Sequence, residues 1–453
     1  MTKRHGYALL AAIIAVIVVI SGAIYMGAAS DIGSGSGPRN ALRNNPTPRN
    51  SAAPASVGTW VSTWSTSPAG AEPGTETNGM AGRSVRNVVH VSVGGTSARI
   101  TLSNLYGQQP LNITHASIAV AAAENDAADT AASAEADTMR RLTFGGRTTV
   151  IIPAGEQVIS DAVRVGIPQD SDVLVTTYSP TPSGPVTYHR NARQTSYLAE
   201  GDRTEDVTGT AYAEQTTYWR YLTALDVLSD ESSGTVVALG DSLTDGVTST
   251  DDANHRWTDI LSDRLRTAPA SGDAADVPRY SVVNQGISGN RVLTDGLGLP
   301  ADNPSGLNRF DRDVLARTNV KVVVIDLGVN DILRGPSRID PETITDGLRE
   351  LVQRAHARGL RVVGATLMPF GGHRGSTDAR EAVRQAVNEE IRAGKVYDAV
   401  VDFDKAVRDP YDPRRIRADY DSGDHLHPSD KGYERMADVF DLEDLKGSAP
   451  AEL

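Results

Sequence analysis

The chain has no cysteine among its 453 residues. This absence excludes disulfide bridges, thiolate nucleophiles and metal sites built from thiolates, and it suits an exported protein, in which a stray thiol is a liability. Aromatic residues are scarce, at 5% of the sequence. Positive charge is outnumbered, since 44 Lys and Arg stand against 57 Asp and Glu and the formal net charge is −13. We therefore expect neither nucleic acid nor an anionic membrane surface as the main partner.

One long apolar run, Tyr7 to Ala29, follows the basic residues Lys3 and Arg4. It is long enough to span a bilayer, and its basic flank would stay in the cytoplasm. Small residues at its end also permit cleavage. We predict that residues 1–30 are a signal peptide or, as the favoured alternative, a retained anchor, so that the rest is extracellular or at the cell surface. Residues 31–57, rich in Gly, Ser, Pro and Asn, are predicted to be a flexible linker.

Residues 58–230 have the pattern of short β-strands separated by turn residues, which predicts an antiparallel, jelly-roll-like β-sandwich as an accessory domain. The predicted strands are 84–93, 98–103, 111–120, 148–152, 158–165 and 172–178. Tryptophan on such a sandwich can stack on sugar rings, although core packing is the favoured interpretation. The tryptophans concerned are Trp60, Trp64 and Trp219. Three histidines of this region are expected to be structural, namely His90, His115 and His189.

From residue 233 the pattern changes to apolar, strand-like runs that alternate with helical segments. The runs are 235–240, 280–284, 320–327, 360–367 and 399–403. Continuous β-branched runs are typical of strands buried on both faces of a parallel sheet. Residues 233–445 are therefore predicted to form a doubly wound α/β domain, whose ligands bind at the carboxyl ends of the strands.

Residues with catalytic chemistry stand at these strand ends. Ser242 follows the first run, and Asp424-His425-Leu426-His427 precedes the last predicted helix. A carboxylate can accept from one imidazole nitrogen while the other faces a serine hydroxyl, which makes the histidine a base and the serine a nucleophile. His427 is favoured over His425 as the base because it lies three residues from Asp424. An isolated Asp-x-x-His is more often a helix cap.

Donors for an oxyanion are predicted at three strand ends. Ser242 can offer its own backbone N–H at a helix start, where such groups are unpaired. Gly289 is the favoured glycine donor after the second run, although Gly286 also fits. The side-chain amide of Asn330, after the third run, is the remaining donor. Taken singly, each of these residues is explained by turn chemistry, and their shared position at one sheet edge is what favours a site.

Four blocks together resemble the SGNH, or GDSL, hydrolase superfamily. They are Gly240-Asp241-Ser242-Leu243, Gly289, Gly328-Val329-Asn330-Asp331 and Asp424-His425-Leu426-His427, in the order found in that family. The resemblance implies a flavodoxin-like α/β/α sandwich with a five-stranded parallel sheet. It implies Ser242 as nucleophile, His427 as base, Asp424 as its orienter, and Ser242, Gly289 and Asn330 as the oxyanion hole. The preceding region, through Trp60–Trp64 and Leu142–Thr148, is similar to a secreted branch grouped with arylesterases and xylan acetylesterases.

The sequence thus predicts a serine esterase that hydrolyses carboxylic esters through an acyl-enzyme, without metal or cofactor. Its substrate would be a small-molecule or polysaccharide ester with short acyl groups, and acetylated carbohydrate is favoured over other esters, including lipids. The main alternative is a non-catalytic surface protein that binds carbohydrate. A metal-dependent hydrolase would use His373, His425, His427 and Asp424. Acyl transfer to a sugar is a variant of the esterase reaction.

Overall fold

The computed structural model describes residues 58–122, 132–268, 277–298, 301–335 and 339–447. The predicted signal or anchor (1–30) and linker (31–57) lie outside these residues and stay predictions. Within the described ranges, no helix combines the length and apolar character needed to cross a membrane.

Fifteen strands of the described chain come before residue 230. They are β1 Thr59–Ser65, β2 Arg83–Val91, β3 Gly95–Ser103, β4 Leu111–Ile113, β5 His115–Val120, β6 Arg140–Arg141, β7 Val150–Ile152, β8 Gln157–Ile159, β9 Val163–Ile167, β10 Ser171–Ser179, β11 Tyr188–His189, β12 Ser196–Glu200, β13 Glu214–Thr216, β14 Trp219–Arg220 and β15 Leu222–Ser229. Two of the predicted strands are each divided in two, because the chain turns between β4 and β5 and again between β8 and β9.

These strands form two large antiparallel sheets that share one core, which confirms the predicted sandwich. One sheet has the order β1-β15-β3-β8, with β9 also paired to β3, and the other has the order β13-β12-β2-β10-β5-β6. Apolar residues from both sheets pack in a single cluster, among them Val61, Val89, Ile100 and Val173. The rings of Trp64 and Trp219 meet edge to face within this core, with their centroids 4.9 Å apart. Packing is therefore the role of these two tryptophans.

A five-stranded parallel sheet follows, as predicted. Its strands are β16 Gly234–Gly240, β17 Tyr280–Gly286, β18 Val320–Asp326, β19 Arg361–Ala365 and β20 Ala399–Val401. The order across the sheet is β17-β16-β18-β19-β20, and every pairing is parallel. With the strands numbered 1 to 5 in chain order, the order across the sheet is 2-1-3-4-5, which is the flavodoxin-like order. The chain adds β17 on one side of β16 and then β18 on the other, so the topological switch point lies at β16.

Helices cover both faces of this sheet. Their bounds are Ser242–Asp245, Trp257–Thr267, Gly306–Phe310, Val329–Arg334, Pro341–His356, Asp378–Arg392, Phe403–Val407 and Asp430–Asp438, with shorter 3-10 or π turns at Ala136–Thr138, Asp311–Leu315 and Leu442–Leu445. Val237 and Leu239 of β16 pack with the helices Pro341–His356 and Asp378–Arg392. Val236 and Ala238 point to the other face and pack with Trp257 and Tyr433. This alternation produces the α/β/α layers.

The sandwich packs directly against the edge of the parallel sheet. Ser62 on β1 donates its backbone N–H to Thr235 Oγ1 on β16 at 3.2 Å. Gln285 on β17 donates its side-chain amide to Ser65 Oγ at 2.5 Å. All described residues fall in one compact unit, Ser56–Leu453. The division into one domain at 58–230 and another at 233–445 therefore stays a prediction. Its boundary falls between the end of β15 and the start of β16.

Candidate active site

The serine stands on a tight turn at the end of β16. Ser242 opens the one-turn helix Ser242–Asp245, and Asp241 caps that helix by accepting from the Leu243 backbone N–H at 3.0 Å. A Cβ on Gly240 would lie 2.0 Å from Thr244 Oγ1, so a side chain is not tolerated there. The glycine therefore lets the helix fold back tightly on the strand that precedes it.

Three predicted residues form one chain of hydrogen bonds. His427 Nε2 lies 2.9 Å from Ser242 Oγ, and His427 Nδ1 lies 2.5 Å from Asp424 Oδ2. Asp424 Oδ1 also accepts the backbone N–H groups of Leu426 at 2.9 Å and His427 at 2.8 Å. Burial raises the pKa of Asp424, but these hydrogen bonds outweigh it and the net pKa is lowered. An ionised Asp424 can orient the imidazole and stabilise the imidazolium that forms when it takes a proton.

His425 is turned away from the serine. Its backbone has a φ of 63°, and its Nδ1 lies 2.7 Å from Asp421 Oδ2. This left-handed residue reverses the loop, so that only His427 of the two neighbours reaches Ser242. No group of three or more His, Asp or Glu side chains in the described chain has an arrangement that could hold a metal ion.

The geometry separates the two candidate glycines. The Gly286 N–H donates to Asn284 Oδ1 at 2.8 Å, and a Cβ on Gly286 would lie 2.3 Å from the Asp245 backbone nitrogen. Gly286 therefore permits β17 to approach the serine helix. Gly289 has a φ of 78°, and its N–H has no hydrogen-bond partner among the described residues. Of these two glycines, Gly289 is the one with a free donor.

The other two predicted donors also have a free N–H. Ser242 is the first residue of its helix, where a backbone N–H has no intrahelical acceptor. Asn330 is the second residue of the helix Val329–Arg334, and its Nδ2 donates to Asp241 Oδ2 at 3.0 Å. A side-chain amide carries two N–H groups, so this bond fixes the amide and leaves one N–H for a ligand.

A second carboxyl group is buried behind the serine turn. Asp326, the last residue of β18, accepts from Thr244 Oγ1 at 3.0 Å. Burial raises the pKa of Asp326 to about 7. Burial, reinforced by the nearby Asp326, also raises the pKa of Asp241. Sequence reasoning assigned no role to Asp326, because a strand-terminal Asp looks the same whether or not it is buried.

The sandwich also reaches the site, which the sequence did not predict. His189 Nε2 lies 2.8 Å from Asp245 Oδ1 and His189 Nδ1 lies 2.8 Å from the Ser67 carbonyl oxygen. Both partners are acceptors, so both ring nitrogens carry hydrogen and the ring is cationic. Burial lowers the pKa of His189, but Asp245 more than offsets it and the net pKa is raised. His189 is a buried, ion-paired residue of the sandwich, and its partner Asp245 lies three residues along the helix from Ser242.

Asp245 links this histidine to the glycine loop. Its Oδ2 accepts the Ser288 N–H at 3.0 Å, the Ser288 hydroxyl at 2.5 Å and the Asn191 amide at 3.2 Å. Burial raises the pKa of Asp245, but the partners, His189 first, lower it overall. Because Ser288 directly precedes Gly289, this network sets the distance between the serine helix and the glycine donor.

Arg309 is a further residue that the sequence gave no reason to select. Its side chain is 1% exposed. It donates to the carbonyl oxygens of Gly240 at 2.8 Å and Gln285 at 2.7 Å, and to Ser67 Oγ at 2.9 Å. One buried guanidinium thus joins the end of the serine strand, the end of β17 and the sandwich.

A cavity of about 410 Å³ borders Gly289. Its lining includes His189, Arg190 and Asn191 from the sandwich and Ser288, Arg291 and Arg334 from the parallel-sheet region. Another cavity, of about 290 Å³, is lined by residues such as Ser92, Arg279 and Tyr280 and by none of the site residues. Of these two cavities, the one at Gly289 borders a predicted site residue.

A match to a protein family agrees with the motifs. Residues 238–435 match the GDSL-like lipase/acylhydrolase family. Similar solved structures include a member of the lipolytic G-D-S-L family from Veillonella parvula, at 18% identity over 46% of this chain and 96% of that chain, with a TM-score of 0.34. A carbohydrate acetylesterase from Sinorhizobium meliloti is similar at 17% identity over 45% and 95%, with a TM-score of 0.35. An aryl esterase from M. smegmatis has 17% identity over 45% and 95%, with a TM-score of 0.34.

No curated protein matches the chain in sequence. All four motif blocks fall inside the matched range, and they meet at one edge of a parallel sheet with the 2-1-3-4-5 order. Residues 238–435 therefore form a GDSL-like lipase/acylhydrolase domain, in agreement with the resemblance to the SGNH/GDSL hydrolase superfamily.

Proposed function

We propose that the protein is a serine esterase in which Ser242 is the nucleophile, His427 the general base and Asp424 its orienting carboxylate. The observation that carries this proposal is the unbroken hydrogen-bond chain from Asp424 through His427 to Ser242 Oγ. An isolated helix cap explains the bonds from Asp424 to the backbone. It does not explain why the other ring nitrogen of His427, Nε2, lies at hydrogen-bond distance from Ser242, which starts a helix 185 residues earlier in the chain.

Catalysis would proceed in two halves. Ser242 Oγ attacks the ester carbonyl carbon while His427 Nε2 takes its proton, and the charge on the carbonyl oxygen rests on the Ser242 N–H, the Gly289 N–H and the Asn330 amide. His427 then gives the proton to the departing alcohol, which leaves an acyl group on Ser242. Water, deprotonated by His427, attacks the acyl carbon, and His427 returns the proton to Ser242 Oγ as the bond to the acyl group breaks and the acid is released. None of these steps needs a metal or cofactor.

Short acyl groups, and acetyl esters of carbohydrate in particular, are the substrates we favour. The scarcity of aromatic residues gives little material for a long apolar acyl tunnel. The buried positions of Trp64 and Trp219 leave these two unavailable as platforms for sugar rings. A substrate carbohydrate would therefore contact the cavity at Gly289 rather than these tryptophans of the sandwich.

We also propose that the protein is exported, because polysaccharide esters occur outside the cell. The apolar run at residues 7–29 would deliver the catalytic part there, as an anchor or as a cleaved signal, and would be its sole contact with a membrane. The intact mass of the protein purified from its native cells decides between the two. A chain that keeps residues 1–30 is anchored, and a chain that starts near residue 30 is released.

Ser242→Ala tests the proposed function directly. We expect the variant to lose hydrolysis of p-nitrophenyl acetate while its thermal unfolding stays close to that of the parent, since only one hydroxyl is removed. Ser233→Ala is a matched control, because Ser233 is an exposed serine next to the opposite end of the same strand. Turnover by Ser242→Ala at the parent rate would contradict the assignment.

A further inference from the structure

We propose that the cavity beside Gly289 is a subsite for an anionic group, a carboxylate or a phosphate, carried by the ester substrate. The proposal deepens the proposed esterase function and rests on it. Three arginines line one cavity of about 410 Å³ next to the proposed oxyanion donor Gly289, namely Arg190, Arg291 and Arg334.

Arg334 is placed closest to the reacting groups. It lies four residues after Asn330 in the helix Val329–Arg334, so the two side chains share a helix face. Its guanidinium Nη1 is 2.9 Å from the point that a Cβ on Gly289 would occupy. Arg334 therefore contacts one proposed oxyanion donor and follows another by a single helical turn.

Arg334 and Arg190 present free guanidinium groups. Both side chains are exposed, and neither has a hydrogen bond or an ion pair within the part of the chain that the structure describes. Arg190 stands between His189 and Asn191, which are both bound to Asp245. The backbone of Arg190 is thus held at the cavity wall, while its guanidinium has no ion-pair partner in the described part of the chain. Arg291 donates to the Asp295 carbonyl oxygen, and the carboxylates of Asp295 and Asp331 partly offset its charge.

The acidic residues of the same cavity do not cancel this charge. Asp245 is buried and paired with the cationic ring of His189, which makes that pair neutral. Asp302 is exposed, and its carboxylate lies beside Gly298. Two arginines without an ion pair, Arg190 and Arg334, therefore share the cavity with one unpaired carboxylate. This local positive excess stands in a chain whose formal net charge is −13.

Unpartnered guanidinium groups at this place have a clear chemical use. The planar fork of Arg matches the two oxygens of a carboxylate or phosphate, and it is less strongly hydrated than an ammonium group. An anion held there would fix an ester carbonyl next to Gly289 and Asn330. The substrate class implied is an ester whose alcohol or acyl part is acidic, such as an acetylated uronic acid or an acetylated sugar phosphate.

The experiment compares acetyl esters that differ in charge. The probes are 4-acetoxybenzoate, its neutral methyl ester, and 4-acetoxyphenyl phosphate, with kcat/KM measured for the parent, Arg190→Gln, Arg334→Gln and the double variant. We expect the ratio of acidic to neutral kcat/KM to fall at least about tenfold in the double variant, the effect of losing one charge-assisted contact. Arg358→Gln, an exposed arginine at a distant helix end, removes the same charge and should leave the ratio unchanged.

Each result has one meaning. A lower ratio of acidic to neutral kcat/KM with either acidic ester supports the subsite. The acidic ester whose ratio decreases more identifies the preferred anion. A ratio that is equal in the parent and the double variant, while the neutral ester is still hydrolysed, overturns the subsite and leaves the esterase intact. Failure of the parent to hydrolyse any of the three esters counts against the proposed function, and the subsite is then rejected with it.

Discussion

The sandwich of β1–β15 and the parallel sheet of β16–β20 contribute to the candidate site in different ways. Every predicted catalytic residue follows a strand of the parallel sheet, in a loop or the first turn of a helix. The sandwich provides none of them, but its His189 and Asn191 hold Asp245, and its Ser67 contacts both His189 and Arg309. The parallel-sheet region thus provides the predicted catalytic groups, and the sandwich provides contacts to the residues next to them.

This difference shows why the sandwich is more than an appended module. A free parallel-sheet domain would expose Asp245 and one side of the Ser288–Gly289 loop to water. In the protein Asp245 is buried, and a buried carboxylate needs a partner because an unpaired buried charge is costly.

Replacing His427 should have the largest effect, because it removes the base of the parallel-sheet site. His427→Ala is expected to lower kcat for p-nitrophenyl acetate by about 10⁴-fold, the size typical of a lost triad member. His425→Ala is the matched control, since its ring is bound to Asp421 and does not face Ser242. Equal losses in the two variants would show that the loop as a whole, and not His427, is needed.

Asn330→Ala should have the next largest effect. Loss of one oxyanion donor is expected to lower kcat by about 100-fold with a much smaller change in KM, because the donor acts on charge that develops in the transition state. The measurement is steady-state kinetics, with thermal unfolding as the check on folding. A change confined to KM would assign Asn330 to ground-state binding.

His189→Ala tests the contribution of the sandwich. Asp245 would lose its cationic partner, so we expect about 3 kcal/mol less stability and roughly a tenfold lower kcat as the Gly289 loop shifts. His189→Gln can still donate to Asp245 and should recover part of both. His90→Gln is the control, since His90 bonds to Asp170 and Asp172 within the sandwich and the loop beside it. An unchanged kcat in His189→Ala at temperatures where it is folded would mean that the sandwich has no positioning role.

Asp326→Asn should have the smallest effect, and only on stability. A carboxyl whose pKa rises from 3.8 unfolded to about 7 folded binds more protons when folded. Its contribution to stability is therefore full below pH 4 and is lost as the pH rises to about 7. The variant keeps an acceptor for Thr244 and should show a flatter dependence of urea midpoint on pH between 4 and 8. A parent-like slope would show that Asp326 is not the titrating group.

Much of the parallel-sheet region could be predicted from the sequence. Continuous apolar runs such as 320–327 identify buried strands, and the motifs locate Ser242 and the pair Asp424 and His427 in order along the chain. Their meeting point follows from topology, because parallel strands bring their carboxyl ends to one edge. The catalytic roles themselves remain predictions that the kinetic experiments above must test.

The rest could not be predicted because it depends on contacts between distant segments. Strands β1, β12 and β15 were not singled out. β15 lies inside its sheet and is buried at nearly every position, so its sequence shows no alternation of apolar and polar residues. His189 and Asp245 are 56 residues apart in sequence. Arg309 has no motif around it. Their functions arise only when the sandwich packs on the edge of the parallel sheet.

The most direct test of the central claim is the site of covalent acylation. The reaction with p-nitrophenyl acetate would be quenched with acid during turnover. The protein would then be digested and the masses of its peptides measured by mass spectrometry. The account predicts one added acetyl group on the peptide that contains Ser242, absent when the protein is denatured before the ester is added. An acetyl group on a different residue that forms and decays at the rate of turnover would contradict it.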